Sequence, residues 1–166
     1  MQALIQPRSL TIEQQKAIGI ALRPFAGQKI VVSSSSADPE AYLLSEQIVS
    51  ALKSGHLDVE DRSGKGNAAA TGLAEITGIR INWWLTEAPA IAVGEALKQF
   101  GQLKHVNVCE GKSMIASAEG AAVPDPKPNL YLYVVSKPLP LLGKEREGRQ
   151  SESEACDSAI PHNRKH

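Results

Sequence analysis

The alternation of apolar and polar residues predicts three amphipathic helices and five short strands. Apolar residues recur at helical spacing from about residue 10 to 25, from 39 to 54 and from 89 to 100. Gly27, Gly55 and Gly101 follow these segments, and glycine is the residue that most readily ends a helix. Runs of β-branched or alternating residues predict strands at 29–33, 57–60, 79–84, 106–109 and 130–135.

Two of the helix starts carry recognisable capping residues. Thr11 and Gln14 have the spacing of a capping box, in which each side chain binds a backbone amide at the start of the helix. Asp38 is a good N-cap, Pro39 suits the first helical position, and Glu40 favours the positive end of the helix dipole. The second helix is therefore the most clearly defined element of the chain.

The order of these elements predicts an α+β fold. We expect a two-layer α/β sandwich of ferredoxin-like (βαββαβ) type with an extra N-terminal helix, formed as a single domain by residues 1–142. A doubly wound parallel sheet would need a crossover helix between residues 60 and 79, where the pattern shows none. A flavodoxin-like three-layer sheet is the alternative, since residues 68–75 could form a short helix.

Three segments lack a pattern that predicts helix or strand. Residues 62–78 and 110–128 are rich in small residues and predict two long loops, the second ending in a proline-rich run. Residues 143–166 have almost no apolar side chains and carry charges of both signs. We expect this last segment to be a disordered polar tail, because it cannot bury enough apolar surface to fold.

Composition narrows the classes of function. Eighteen basic and eighteen acidic residues cancel, which weighs against nucleic acid as a partner. No segment is long and apolar enough to cross a bilayer, so we expect a cytoplasmic protein or one that is membrane-associated through a partner. Of the two cysteines, Cys109 lies in a predicted strand and Cys156 in the tail, so we expect reduced thiols. No cofactor or metal site is predicted.

Four consecutive serines connect the first predicted strand to the second helix. Such a loop can hold a phosphate at a helix N-terminus, which makes four residues candidates for an anion site: Ser33, Ser34, Ser35 and Ser36. Against this, Asp38 and Glu40 place carboxylates where an anion would bind, and Pro39 removes an amide donor. The loop also lacks glycine. A capped helix with a solvated loop is the favoured interpretation.

Two further motifs are too incomplete to define a catalytic site. Residues 111–113 (GKS) match the end of a phosphate-binding loop, but Val106 stands where that motif requires its first glycine. His105 and Cys109 would share a strand face and could form a base and nucleophile. Because free cysteine commonly behaves as a small apolar residue, a buried inert Cys109 is favoured. We assign no catalytic residue.

The predicted strands place a group of aromatic and polar side chains together. If Ile79, Ile81 and Trp83 face the helices, the alternate residues point to the other side of the sheet. With the alternate residues of the last strand, these form a candidate interaction face: Arg80, Asn82, Trp84, Tyr131 and Tyr133. Exposed aromatics beside arginine are typical of protein interfaces. The N-terminal helix or the 110–128 loop could instead cover this face.

Three segments resemble a known group of sequences. Residues 7–15 (PRSLTIEQQ), 22–28 (LRPFAGQ) and 134–140 (VVSKPLP) are similar to the soluble portion of uncharacterised small bacterial proteins. The resemblance covers roughly residues 7–140. Members of that group often carry membrane helices ahead of this portion. The resemblance implies no activity and no site residues.

Two functions of different classes remain open from the sequence. The favoured one is a non-enzymatic protein-interaction or assembly module, binding a protein partner or a second copy through the aromatic sheet face. The alternative is a small nucleotide- or phosphate-binding domain, or an enzyme, that uses the strand-to-helix loops. The two differ in whether the aromatic face is exposed and in whether the serine loop can accept an anion.

Overall fold

The structure is a computed structural model that describes residues 7–34, 38–64, 78–111, 114–116, 122–124 and 129–135. Within these residues it contains three α-helices, α1 (Ile12–Leu22), α2 (Pro39–Ser54) and α3 (Glu87–Gln99), with a short 3-10 helix (Arg23–Phe25) after α1. The strands are β1 (Lys29–Ser34), β2 (Asp58–Asp61), β3 (Ile79–Trp83), β4 (Val106–Glu110), β5 (Met114–Ala116), β6 (Ala122–Pro124) and β7 (Leu130–Val134).

Five strands form one mixed sheet in the order β2-β1-β7-β3-β4. Strand β1 is parallel to both β2 and β7, and β3 is parallel to β4, whereas β7 and β3 are antiparallel. The sheet therefore consists of two parallel blocks of opposite direction that meet between β7 and β3. The mixed α/β composition agrees with the predicted α+β two-layer class.

The predicted ferredoxin-like strand order is not confirmed. That topology separates the two strands of each βαβ unit by a third strand. Here β1 and β2 are direct neighbours, as are β3 and β4. The sheet is also not the all-parallel one of a flavodoxin-like fold, because β3 and β4 run opposite to the other three strands.

The helices begin largely where the capping residues predict. The Thr11–Gln14 capping box is present, and the Asp38 side chain accepts hydrogen bonds from the backbone amides of Glu40 and Ala41. Helix α3 begins at Glu87, two residues before the predicted start at Pro89. Proline is tolerated there because the amides of a first helical turn have no partner within the helix.

The hydrophobic core lies between one sheet face and the helices. Helix α2 packs on β1, β2 and β7, and α3 packs on β3 and β4. Helix α1 packs against α2 and α3. The largest fully buried side chains come from all three helices and from three strands of the main sheet: Ile18, Leu22, Ile30, Val32, Leu44, Ile48, Leu52, Ile79, Ile81, Leu97, Leu130 and Leu132. All three predicted helices therefore contribute to the core.

One of the predicted loops contains regular structure. Strands β5 and β6 pair antiparallel within residues 110–128. Each strand has only three residues, which is too short for alternation to be recognised in the sequence. Most of the predicted 62–78 loop and the whole 143–166 tail lie outside the described residues. In the described part of the chain, no helix has the length and apolar character needed to cross a membrane.

An ion pair holds the segment before α1 against the start of α2. The backbone amide and the Nε atom of Arg8 both donate to the Glu40 carboxylate, at 2.8 and 2.9 Å, and Arg8 Nη2 donates to the carbonyl of Val135. Partial burial raises the pKa of Glu40, but the hydrogen bonds and charge of Arg8 outweigh it and hold that pKa below its ordinary value of 4.5.

We expect Glu40→Gln to lower the free energy of unfolding by about 1 kcal/mol at neutral pH, after allowance for solvent screening. A lowered folded-state pKa means that the stabilisation is complete above the ordinary carboxyl pKa and is lost as pH falls through the folded value. Urea unfolding across a pH series measures this. The difference between the two proteins should vanish in acid.

Glu95→Gln is the matched control, because Glu95 is well exposed and lies 3.7 Å from Lys98. We expect little change in stability for this variant at any pH. If Glu40→Gln remains as much less stable than the wild type in acid as at neutral pH, the stabilisation does not come from the Glu40 charge.

Candidate interaction site on the second sheet face

The site lies on the sheet face opposite α2 and α3, which we call the second face. Alternation along β3 directs Ile79 and Ile81 to the helices and Arg80 to the second face. The strand register then sets the neighbours of Arg80: Tyr133 on β7 is its partner on one side and Asn107 on β4 on the other. In the next row, Asn82 lies between Tyr131 and Cys109.

The sequence left open whether the second face is exposed or covered, and in the structure it is partly buried. Arg80 is 2% exposed and Tyr131 is 7% exposed. Asn82, Trp84 and Tyr133 are half-buried. Helix α1 is not the cover, because it packs against the other two helices. The observed register places four of the five predicted residues on one face, namely Arg80, Asn82, Tyr131 and Tyr133, whereas Trp84 follows the end of β3.

Arg80 is the most unusual side chain of this face. Its Nε atom donates to Asn82 Oδ1 at 2.8 Å, whereas its buried Nη1 atom has no hydrogen-bond partner. No ion pair joins Arg80 to a carboxylate within the described residues. Burial lowers the pKa of Arg80, and the neighbouring Tyr133 opposes that shift. Because arginine remains protonated in proteins, the group is a buried cation with no counter-ion among the described residues.

Sequence reasoning missed two members of this face, Asn107 and Cys109. Their alternation on β4 was visible in the sequence, but their position beside Arg80 and Asn82 depends on β4 pairing with β3. Cys109 is 1% exposed and disulfide-bonded, so it offers no free thiol and the expectation of a reduced cysteine is wrong there. His105, the residue suggested as a base, lies before β4 and has a φ of 59°, so the alternation of β4 does not place it on the same face as Cys109.

The serine loop is described only at its start. Ser33 and Ser34 are the last residues of β1, whereas Ser35 and Ser36 lie outside the described residues. The Asp38 carboxylate occupies the amides of Glu40 and Ala41, which supports the capped-helix interpretation. Ser34 is nevertheless buried, and its Oγ atom has no hydrogen-bond partner.

The described residues give little support to a phosphate-binding loop at residues 111–113 or to a metal site. The amide of Gly111 donates to the carbonyl of Trp83, so it is already bonded, and residues 112 and 113 lie outside the described part. Among the described residues, no three His, Cys, Asp or Glu side chains lie close enough together to hold a metal ion.

The fold and the second face define a mixed α/β protein with a five-stranded sheet and a buried arginine on one sheet face. Comparison with known proteins yields no match: no family model, curated protein or solved structure is significantly similar to the chain. The resemblance to small bacterial proteins stays a prediction.

Proposed function

We propose that this protein is a non-enzymatic interaction module. Its second face binds an acidic segment of a protein partner, and the Arg80 guanidinium is the group that the partner's carboxylate meets. The observation that carries this proposal is the buried Nη1 atom of Arg80, which has no partner.

The chemistry of a buried guanidinium supports a carboxylate as the bound group. A buried charge without a counter-ion is costly, because the protein interior solvates it poorly. A carboxylate can meet the planar guanidinium with two parallel hydrogen bonds. Since Arg80 Nε already donates to Asn82, the unpaired Nη1 is the donor that an incoming carboxylate oxygen would satisfy first.

The side chains around Arg80 supply the rest of an interface. Asn82, Trp84 and Tyr133 are half-buried and form the part of the face that a partner meets first. Aromatic residues and arginine dominate the binding energy of protein interfaces. Because Arg80 is buried in the free protein, its guanidinium has to become accessible before a carboxylate can reach it. We therefore expect slow association, below about 10⁵ M⁻¹ s⁻¹.

Selection from a random peptide display library tests this proposal. The wild-type protein should enrich peptides in which Asp or Glu stands next to an aromatic or aliphatic residue. Arg80→Met should bind the enriched peptides about 30-fold more weakly or worse, because truncating one partner of a buried charge pair is costly. Fluorescence anisotropy with the enriched peptides measures the loss.

Arg62→Met is the matched control, since Arg62 is an exposed arginine that pairs with Glu60. It should bind the peptides as the wild type does. Enriched peptides without acidic residues, or equal affinity for Arg80→Met, would contradict the proposal. Light scattering tests whether the partner is a second copy of the chain. Self-association through this face should be lost in the double variant Trp84→Ala with Tyr133→Ala.

A second candidate function rests on two other unpaired groups. The Oγ atoms of Ser34 and Ser63 are buried without a hydrogen-bond partner, and both residues stand at the carboxyl ends of neighbouring parallel strands. That end of a parallel sheet is where α/β proteins bind ligands. Binding of a phosphate or nucleotide at this loop is therefore the alternative, although the Asp38 carboxylate opposes an anion there.

A further inference from the structure

A cleft of about 450 Å³ lies at the amino-terminal ends of β3 and β4, on the same sheet edge as the carboxyl end of β1 and two strands away from it. One side is the segment before α1, with Pro7 and Arg8, and the other is the loop from α3 to β4, with Leu103, Lys104 and His105. We call it the N-terminal cleft. Its volume is within the range of small-molecule sites in proteins.

The titratable groups that line the N-terminal cleft are all basic types. They are Arg8, Lys104 and His105, and none of the described lining residues is acidic. Lys104 forms no ion pair with a described residue. The charge of Arg8 is compensated by its ion pair with Glu40, which leaves Lys104 and His105 as the basic groups available to an anion. The cleft therefore favours a negatively charged ligand.

The backbone around the cleft is fixed in a specific conformation. Gln102 and His105 have φ angles of 53° and 59°, which non-glycine residues adopt only when surrounding contacts impose them. The carbonyl of His105 accepts a hydrogen bond from Ile79, and the amide of Leu103 donates to Leu97. Lys104 thus projects from a loop that is bonded on both sides. A rigid loop lowers the entropic cost of binding a ligand.

The floor and the rim of the cleft differ in character. The buried residues Leu103 and Gly78 provide an uncharged floor, whereas Pro7, Lys104 and His105 are exposed at the rim. From this arrangement we infer that the N-terminal cleft binds a small organic anion, with an apolar or planar body on the floor and a phosphate or carboxylate group against the basic residues. This site is separate from the second face.

Four small molecules distinguish the parts of this inference by calorimetric titration. Phenyl phosphate and benzoate present the two anionic groups on the same body, inorganic phosphate lacks the body, and benzyl alcohol lacks the charge. We expect one of the two aromatic anions to bind at least about tenfold more tightly than inorganic phosphate and benzyl alcohol, since both charge and apolar contact contribute.

Lys104→Gln with His105→Asn tests the location. Asparagine tolerates a positive φ, so this variant removes both basic groups while keeping the loop conformation. We expect affinity to fall about tenfold or more for each group removed. If the double variant folds poorly, Lys104→Gln alone can be used, because Lys104 is exposed. We expect this single variant to lower the affinity as well. Lys53→Gln is the control and should bind as the wild type does.

The outcomes separate this site from the serine loop. Affinity that falls in Lys104→Gln but not in Ser34→Ala supports the N-terminal cleft. Affinity that falls only in Ser34→Ala would overturn the inference and favour the strand-to-helix loop. Equal binding by wild type and Lys104→Gln with His105→Asn, or no binding of either aromatic anion at millimolar concentration, would also overturn it.

Discussion

Arg80→Met is expected to raise the free energy of unfolding by about 1–4 kcal/mol. The arginine is a buried cation whose Nη1 atom has no partner. Methionine has a similar length, can fill an irregular space and needs no hydrogen bond. Removing the desolvated charge should therefore outweigh the loss of the single bond to Asn82. The same substitution should weaken peptide binding, so stability and binding would change in opposite directions.

Urea unfolding of the two proteins measures this effect. Arg62→Met serves as the control, because its side chain is 54% exposed and we expect little change in stability from it. If Arg80→Met lowers stability by about 3–5 kcal/mol instead, Arg80 has a charged partner in the free protein. That result would remove the observation that carries the proposed function.

Gly78→Ala is expected to lower the free energy of unfolding by about 3–5 kcal/mol. Gly78 has a φ of 91°, and a Cβ atom there would overlap the carbonyl oxygen of His105. That oxygen is fixed because it accepts the hydrogen bond from Ile79 at the start of β3. A methyl group would therefore strain the backbone and push β3 from the loop before β4.

Gly27→Ala is a matched control for this prediction. Gly27 has a similar φ of 84°, but a Cβ atom there would meet nothing within 4 Å. In this variant the free energy of unfolding should fall by only about 1–2 kcal/mol, which is the cost of holding an alanine at a positive φ. The difference between the two variants in thermal or urea unfolding measures the close approach of Gly78 to His105. Equal losses would show that the loop before β4 moves away without cost.

The local elements could be predicted because their determinants are close in sequence. The capping box at Thr11 and the N-cap at Asp38 each involve contacts within three residues. The five strands of the main sheet were recognised from short runs of alternating or β-branched residues. The three-residue strands β5 and β6 were missed, since so few residues show no periodicity.

The sheet order could not be predicted in the same way. Strand β7 lies between β1 and β3, which are far from it in sequence, and it is parallel to one and antiparallel to the other. Such pairing depends on backbone hydrogen bonds, which carry little sequence signal. Predicting two βαβ units was therefore compatible with several strand orders, and the ferredoxin-like one is not confirmed.

The sequence by itself determined which residues form the helices and strands and which strand residues share a face. Arg80 and Asn82, for example, share a face because side chains alternate along any strand. Only the tertiary structure decided that Arg80 and Tyr131 are buried and that Arg80 has no counter-ion among the described residues. It alone brought Arg8 near the loop of Lys104 and His105. Alternation is a local property, whereas burial and charge pairing depend on segments that are distant in sequence.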